Sequence, residues 1–439
     1  MMQLSLFTKH GAACCYVHSY SFTVTPCPLM AVHAVKHAVV VGGGVGGVAA
    51  VGALSAAGLK VTWFDPSFAA GNFAGYRDVP ANTKIALLAG HFEDLIPQGI
   101  PEGAAHDEFT KLKANAYSLP LLKSDPDEGK GWCGLDAVGD VLSALTKAVL
   151  LPSPSIRGVV GSVRGLRRAD EGGWTVSWDD AEGKAGEPVE ADMVVLSTGC
   201  VPVDVPPALL PATWASPDAR AVRVVPLEEA LSLSKLRAHL AEVGGGSGVV
   251  AVVGGGHSGV VLVRALLGLD CVERVRLFTR SPLQLAQWDA LSNKYDAWGF
   301  RGLKGAAAEL ATKYDIVGLK PPNGLVGTDG RLELWDSRAL GEDAQATLGV
   351  RAVVYGLGYT SRALPAIHLA DGTAATVAGS AVGSGQLFSE ASGPLPGLYG
   401  AGLAFAEDED SSGAPYPEAS LKAFTARARD IVREVVGPQ

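Results

Sequence analysis

Aromatic residues and basic clusters are both scarce in this sequence of 439 residues. Aromatics make up 7% of the chain, the formal net charge is −9, and no run of lysine and arginine with interleaved aromatics occurs. Proteins that bind nucleic acid usually present a basic surface that attracts phosphates. The composition therefore gives no support for a nucleic acid partner.

Paired cysteines are missing as well. The sequence has no C-x-x-C pair, and the cysteine spacing suits neither a zinc site nor the disulfide framework of a secreted domain. We therefore expect no bound metal and a reduced intracellular compartment, the cytoplasm by default. The six cysteines are Cys14, Cys15, Cys27, Cys133, Cys200 and Cys271.

Two further absences concern the start of the chain. Residues 1–30 contain no Asp, Glu or Arg. One interpretation is an organellar targeting peptide, although such peptides are usually rich in Arg. The other is a disordered extension, or an overlong start ahead of Met30, and we favour this second interpretation. Residues 38–59 carry no charge and are long enough to span a membrane. Five glycines between residues 42 and 47 would break such a helix, so we expect no integral membrane segment.

Glycine, by contrast, is abundant, and one glycine motif occurs twice. In the first copy a short apolar strand leads into Gly42-x-Gly44-x-x-Gly47 and then a helix. Gly42 permits a tight turn, Gly44 lets the backbone approach a pyrophosphate, and Gly47 lets helix and strand pack closely. The N–H groups at the start of the helix, including those of Val45 and Gly46, are then available to bind the pyrophosphate.

The strand that follows this first motif, "KVTWFD", ends in an acid. Asp65 lies 23 positions after Gly42, where a carboxylate accepts hydrogen bonds from ribose hydroxyls. Strand, glycine loop, helix, strand and acid form a complete βαβ unit. The sequence therefore predicts a dinucleotide site here that suits the adenosine half of FAD.

The second copy of the motif comprises Gly254, Gly256 and Gly259, again between an apolar strand and a helix. His257 and Ser258 lie inside it, at the start of the helix. We expect this loop to bind a second dinucleotide. For His257 two interpretations stay open: it contacts the nicotinamide or pyrophosphate, or it faces solvent.

The strand that follows the second motif ends at Arg280 instead of an acid. An acid there would repel the 2′-phosphate of NADPH, whereas Arg280 can pair with that phosphate through two hydrogen bonds. The sequence therefore predicts an NADPH site. The alternative is that Arg280 is only a solvated charge at the end of a strand.

The order of the two motifs resembles that of flavoproteins with two dinucleotide-binding domains. Three more stretches resemble this family: "ADMVVLSTGCVP" (191–202), "VRAVVYGLGYTSRALP" (350–365) and "LPGLYGAGLA" (395–404). They match the crossover out of the FAD domain, the return from the NADPH domain, and a late strand beside the flavin. The resemblance implies FAD and NADPH as cofactors and adds as cofactor contacts Val163, Thr198, Gly199, Gly356 and Gly402.

The same resemblance implies the fold class, which is α/β. It consists of two Rossmann-like dinucleotide-binding domains, with the NADPH domain inserted into a split FAD domain. We place the FAD domain at 31–205 and 348–439, the NADPH domain at 206–347, and a separate extension at 1–30.

One stretch resembles a narrower group, the class B flavin-dependent monooxygenases. "GNFAGYRDVPANTKIALL" (71–88) is similar to their W/F…V-x-x-N-T-S/K region. In that group the matching Asn lies against the flavin and bound NADP⁺, so the resemblance gives Asn82 a catalytic role. The alternative is that Asn82 is only the N-cap of a helix over 83–88.

The narrower resemblance implies an FAD-dependent, NADPH-using monooxygenase. Such an enzyme forms a flavin C4a-hydroperoxide and transfers one oxygen atom of O₂ to a small nitrogen or sulfur nucleophile or a carbonyl compound. One departure keeps an alternative open, because the group's F-x-G-x-x-x-H signature is absent ahead of the second motif. In the wider family an Asp usually follows the late strand, and Leu403 at that position weakens only the assignment of that cofactor contact. The alternative is an NAD(P)H:acceptor reductase without a redox disulfide, which reduces a quinone or another small oxidant.

Overall fold

The computed structural model describes most of the chain from residue 35 to residue 437. The described ranges are 35–83, 85–95, 100–113, 132–214, 222–243, 248–286, 288–289, 294–295, 302–327, 329–381, 384–405 and 421–437. The expectations for residues 1–30 lie outside them.

The described chain contains both helices and strands, and βαβ units begin each of the two parallel sheets. The helices are α1 (Val45–Ala56), α2 (Ile85–Leu95), α3 (Ala104–Lys113), α4 (Leu135–Leu145), α5 (Leu227–Ala230), α6 (Leu233–Glu242), α7 (His257–Leu267), α8 (Gly305–Lys313), α9 (Ala339–Glu342), α10 (Ala344–Thr347) and α11 (Leu421–Val436). The strands are β1 (His37–Val41), β2 (Lys60–Asp65), β3 (Ile156–Val160), β4 (Ser162–Arg168), β5 (Trp174–Asp179), β6 (Val189–Ala191), β7 (Met193–Leu196), β8 (Cys200–Pro202), β9 (Arg223–Val225), β10 (Gly248–Val253), β11 (Val272–Thr279), β12 (Trp288–Asp289), β13 (Lys294–Tyr295), β14 (Gly324–Val326), β15 (Leu332–Asp336), β16 (Val350–Tyr355), β17 (Tyr359–Ser361), β18 (Ala366–His368), β19 (Val377–Ser380), β20 (Gln386–Ser389) and β21 (Gly393–Gly400).

The first sheet has seven strands in the order β19-β20-β21-β7-β1-β2-β3. Neighbouring strands are parallel from β21 to β3, and β19 and β20 extend the edge in antiparallel pairing. β1 has the sequence HAVVV and is almost wholly buried, as expected for a parallel strand covered on both faces. Helices α1, α2, α4 and α11 cover one face, and a small sheet of β18-β4-β5-β6 packs on the other.

The second sheet has six strands in the order β14-β15-β11-β10-β16-β9, all parallel except β14. Its central strand β10, GVVAVV, is also buried along most of its length. The predicted domain limit after residue 347 falls ahead of β16, and β16 pairs with β10 of this second sheet. The return to the first sheet therefore comes after Tyr355, while the domain limits themselves stay a prediction.

Two short strands connect the sheets. β8 follows the first sheet's β7, β17 follows the second sheet's β16, and the two pair in antiparallel fashion with Pro202 opposite Tyr359. The segment that holds the second sheet therefore leaves and re-enters the first at one place. Within the described ranges, no helix has the length and apolar character needed to cross a membrane.

Candidate dinucleotide-binding sites

Both glycine motifs lie at the carboxyl end of a central parallel strand, which is where open α/β sheets bind ligands. Gly42 follows β1, and its N–H donates a hydrogen bond to Phe64 O of β2 over 2.8 Å. Gly254 follows β10, and its N–H donates to Phe278 O of β11 over 2.9 Å. The two loops thus begin with the same hydrogen bond to the neighbouring strand.

The first glycine of each motif is required by backbone geometry. Gly42 has φ +112° and Gly254 has φ +123°, which side-chain-bearing residues rarely adopt. A Cβ atom would also lie 2.1 Å from Ser197 O in the first case and 2.3 Å from Gly356 O in the second. Each loop therefore turns tightly against the end of the next parallel strand, β7 or β16.

The second and third glycines have opposite surroundings. A Cβ at Gly47 would lie 1.8 Å from the carbonyl oxygen of the motif's first glycine, and a Cβ at Gly259 would lie 1.9 Å from its counterpart. At Gly44 and Gly256, in contrast, a Cβ would meet no atom within 4 Å. No protein atom would exclude a side chain at Gly44 or Gly256. The absence of a side chain there therefore fits a pyrophosphate that approaches the backbone.

The buried carboxylate of Asp65 is held at the first loop. Its Oδ2 accepts a hydrogen bond from Gly43 N over 2.6 Å, and its Oδ1 accepts from Ser67 N and Phe68 N over 2.9 and 2.6 Å. Backbone donors thus fix an acceptor group beside the glycine loop. This is the place at which the sequence predicts contact with an adenosine ribose.

Two buried threonine hydroxyls beside the loops have no hydrogen-bond partner among the described residues. They belong to Thr198, which follows β7 beside the first loop, and Thr279, which ends β11 beside the second. Buried polar atoms are rarely left unpaired, so both hydroxyls fit sites that a dinucleotide completes. Thr198 was a predicted contact, whereas Thr279 was missed. The signal for it is that Thr279 ends its strand as Asp65 ends β2.

The first loop is closed from the other side by the turn after β21. A Cβ at Gly46 would lie 2.6 Å from both the Cα of Gly402 and Ser197 Oγ, so the two turns touch through backbone. Gly199 lies just ahead of β8, and Val163 is half-buried in β4. The structure thus brings Gly46 and Gly402 together, while the predicted contact of Gly402 with the cofactor stays a prediction.

Two charged or titratable residues flank the second loop. His257 is the first residue of α7 and half-buried, and its Nε2 accepts a hydrogen bond from the backbone N–H of Lys304 over 2.9 Å. Burial, with a smaller contribution from Lys304, lowers the pKa of His257, so the imidazole is neutral. Ser258 is the second residue of α7. Arg280 follows β11, is exposed, and forms no ion pair with any part of the chain that the structure describes.

Asn82 lies ahead of α2, outside any helix, and close to the start of α8. It is exposed and stands three residues ahead of Ile85, where α2 begins, so the helix starts two residues later than predicted and Asn82 does not directly precede it. Gly305 at the start of α8 approaches so closely that a Cβ there would lie 3.1 Å from the Asn82 Cα. Consecutive residues, Lys304 and Gly305, therefore contact His257 and Asn82.

The described cysteines are not paired. Cys133 and Cys200 are buried, Cys271 is exposed, and all three are free thiols. Burial raises the pKa of Cys133 to about 12 and also raises the pKa of Cys200. Both buried groups are therefore protonated thiols, which are poor nucleophiles.

A surface depression of about 890 Å³ lies elsewhere on the first sheet. It is lined by the start of β1, β2 and β3, with Lys36, Lys60 and Arg157 at its rim. The glycine loops are at the carboxyl ends of these strands, so the depression is at the opposite edge of the sheet. It is not part of either dinucleotide site.

Comparison with known proteins identifies both a family and a fold. The family described as pyridine nucleotide-disulphide oxidoreductase matches residues 36–293. No curated protein sequence matches significantly. The fold is similar to that of the ornithine N-hydroxylase of Kutzneria sp. 744, solved with reduced FAD, NADP⁺ and L-ornithine, at 16% identity over 91% of this chain and 99% of that one, with a TM-score of 0.57.

Two other solved structures have the same fold. The ornithine hydroxylase of Pseudomonas aeruginosa is 13% identical over 92% of this chain and 99% of its own, with a TM-score of 0.57. The bacillithiol disulfide reductase of Bacillus cereus is 12% identical over 91% and 98%, with a TM-score of 0.50. At these identities the likeness concerns the fold alone.

Proposed function

The chain belongs to the pyridine nucleotide-disulphide oxidoreductase family, and from this premise we propose that it is an NADPH-dependent flavin monooxygenase. The family confirms the coarser predictions: the protein is a flavoprotein oxidoreductase with an α/β fold, and its cofactors are FAD and a nicotinamide dinucleotide. The use of NADPH and of O₂ are our own inferences. They rest on the surroundings of the two loops and of the cysteines.

The observation that carries the proposal is the repeated loop geometry. Each loop has one glycine position, Gly44 or Gly256, that is open to a pyrophosphate. Asp65 gives the first loop a fixed acceptor for a ribose, whereas the second has the exposed cation Arg280 in reach of a 2′-phosphate. This asymmetry supports FAD in the first site and NADPH in the second.

The chain's own residues would hold and orient the two dinucleotides. Bound FAD supplies the two-electron chemistry that links a hydride donor to an acceptor. Gly44 and Asp65 would hold its pyrophosphate and ribose, while the free hydroxyl of Thr198 can donate a further hydrogen bond. Gly256 and Arg280 would hold the pyrophosphate and 2′-phosphate of NADPH. Asn82, at the contact with Gly305, would present its amide where the two domains meet.

The described cysteines argue against a redox disulfide formed within the described part of the chain. A redox disulfide needs two adjacent thiols and a nucleophilic thiolate. The described thiols are single, and those of Cys133 and Cys200 have a raised pKa. We infer that oxygen or a small organic oxidant is the acceptor. The resemblance of the segment that carries Asn82 to the class B monooxygenases favours oxygen.

The test is a two-step reaction with the purified, FAD-loaded protein. The protein is first reduced with NADPH in the absence of oxygen and then mixed with ¹⁸O₂ and a panel of small amines, sulfides and ketones. We expect one ¹⁸O atom in an organic product, detected by mass spectrometry. NADPH oxidation that is insensitive to O₂ but accelerated by a quinone would instead identify the acceptor reductase.

A further inference from the structure

The stretch that carries Asn82 is held by the second domain as much as by its own. We call residues 72–82 the bridging segment. At its start, Asn72 Nδ2 donates a hydrogen bond to Glu228 Oε1 of α5 over 3.2 Å. In its middle, the hydroxyl of Tyr76 lies 3.3 Å from that of Tyr359 in β17. The side chain of Tyr76 also packs against the core of the second sheet.

The central tie of the bridging segment is a helix cap supplied from the other domain. Oδ2 of Asp78 accepts a hydrogen bond from the backbone N–H of Leu233, the first residue of α6, over 2.7 Å. The residue at the N-cap position of α6, Ser232, makes no capping hydrogen bond with its own side chain. Asp78 thus takes over a role that a local side chain normally fills, although it is 155 residues away in sequence.

The end of the bridging segment reaches the second dinucleotide loop. Asn82 touches Gly305, and the preceding residue, Lys304, donates its N–H to His257 at the start of α7. Asp78, four residues before Asn82, therefore contacts α6 between two other contact points, that of Asn72 with α5 and that of Asn82 with α8. The bridging segment therefore connects the first domain with the second dinucleotide loop.

We propose that Asp78 is a positioning residue, which holds the bridging segment on α6. It thereby fixes the two dinucleotide sites in the relative position that hydride transfer from NADPH to flavin requires. This inference rests on the proposed function, because it assumes that NADPH is the hydride donor. Hydride transfer requires the donor and acceptor atoms to lie about 3 to 3.5 Å apart, and a displacement of about 1 Å costs up to a hundredfold in rate. Loss of the cap would permit such a displacement without removing any group that touches either dinucleotide.

The inference is tested by the rate of flavin reduction in the FAD-loaded protein without oxygen. In Asp78→Ala we expect the limiting rate at saturating NADPH to fall at least tenfold. Asp78→Asn keeps an acceptor oxygen and should retain a rate within about threefold of the unmodified protein. Reduction by dithionite, which needs no second domain, should be equal in all proteins. The matched control is Asp170→Ala, an exposed acid between β4 and β5.

The outcomes separate this inference from the proposed function. Reduction of Asp78→Ala at the unmodified rate overturns the role of Asp78, and so does an Asn variant as slow as the Ala variant. If Asp78→Ala does not fold with FAD, Asn72→Ala removes an exposed tie of the same segment and should slow reduction about threefold. An unchanged rate in Asn72→Ala then overturns the inference. If NADPH does not reduce the unmodified protein, the proposed function fails and the inference with it.

Discussion

The imidazole of His257 is tied at Nε2 to the backbone N–H of Lys304, 47 residues away and 2.9 Å distant. Only the neutral ring with its proton on Nδ1 can accept this bond. Its Nδ1 then carries the proton. Protonation at Nε2 would break the tie and leave a backbone N–H without its acceptor.

This tie gives the first prediction, on pH. Burial holds the pKa of His257 below its ordinary value of 6.5, so the unfolded chain takes up a proton at a higher pH than the folded one. The free energy of unfolding should therefore be fully retained above about pH 6.5 and fall as the pH decreases below that value, by up to about 1.4 kcal/mol per pH unit. The free energy of unfolding is measured with urea between pH 5 and 8 for the unmodified protein and for His257→Gln. The decrease of this free energy below pH 6.5 should be smaller in His257→Gln, whereas the exposed control His106→Gln should keep it.

The second prediction concerns the choice between NADPH and NADH as the hydride donor. Arg280 is exposed beside the second loop, so the unmodified protein should prefer NADPH over NADH by one to two orders of magnitude, or roughly 1.5 to 3 kcal/mol. In Arg280→Ala most of that preference should vanish while FAD stays bound. The measurement is the ratio of kcat/KM for the two donors. Equal use of both by the unmodified protein would mean that Arg280 is only a surface charge.

The third prediction uses the contrast between glycines within one motif. Gly256→Ala adds a methyl group to open space, so the fold should keep its melting temperature while NADPH binding weakens at least tenfold. Gly259→Ala puts a Cβ against the carbonyl oxygen of Gly254 and should lower the melting temperature strongly. In the first loop, Gly44→Ala and Gly47→Ala should differ in the same way for FAD. Thermal unfolding of the apo forms and dinucleotide titration check this, and a stable Gly259→Ala variant would contradict it.

The fourth prediction tests the catalytic role of Asn82. Its amide is exposed and does not directly precede α2, so Asn82→Ala should leave the melting temperature and the rate of flavin reduction nearly unchanged. If the amide stabilises the oxygen-transfer step, its loss is worth on the order of 3 kcal/mol. Product should then be replaced by H₂O₂ at equal NADPH consumption. Thr83→Ala is the neighbouring control. A variant that is less stable by about 1 kcal/mol but fully coupled would show a helix cap instead.

The fifth prediction concerns thiols. Because the described cysteines are single and the pKa of the Cys133 thiol is about 12, steady-state NADPH oxidation should not need a cysteine. Treatment with iodoacetamide, and the substitutions Cys133→Ala and Cys200→Ala, should change turnover less than threefold. If iodoacetamide abolishes turnover in the unmodified protein and also in both Ala variants, a different cysteine is needed for turnover. That result would contradict the prediction.

The sequence predicted what depends on local patterns. The two motifs, the strands before them and the acid at Asp65 are contiguous in sequence, and each was found with the geometry that its glycines require. The start of α2 was predicted two residues too early, because Asn82 and Thr83 resemble capping residues whereas α2 begins at Ile85.

Contacts between distant segments could not be predicted. Asp78 caps α6 across 155 residues, and no periodicity or spacing in either segment marks the pair. Thr279 was missed although the sequence carries a signal for it, because it ends its strand as Asp65 ends β2. The predicted domain limit at residue 347 falls ahead of β16, which pairs with β10 of the second sheet, and the limit stays a prediction.

The ladder between β8 and β17 also bears on how this architecture can change. Val203 N–H donates to Gly358 O over 3.0 Å, so the chain enters and leaves the second sheet's segment at adjacent points, about 5 Å apart. A segment with adjacent ends behaves as a cassette: it can be replaced by a related segment, or by a short hairpin turn, without stretching the remaining chain. Exchange of this cassette would alter the electron donor in a single event. The two stretches of chain that form the flavin-binding half would stay joined through the exchanged segment.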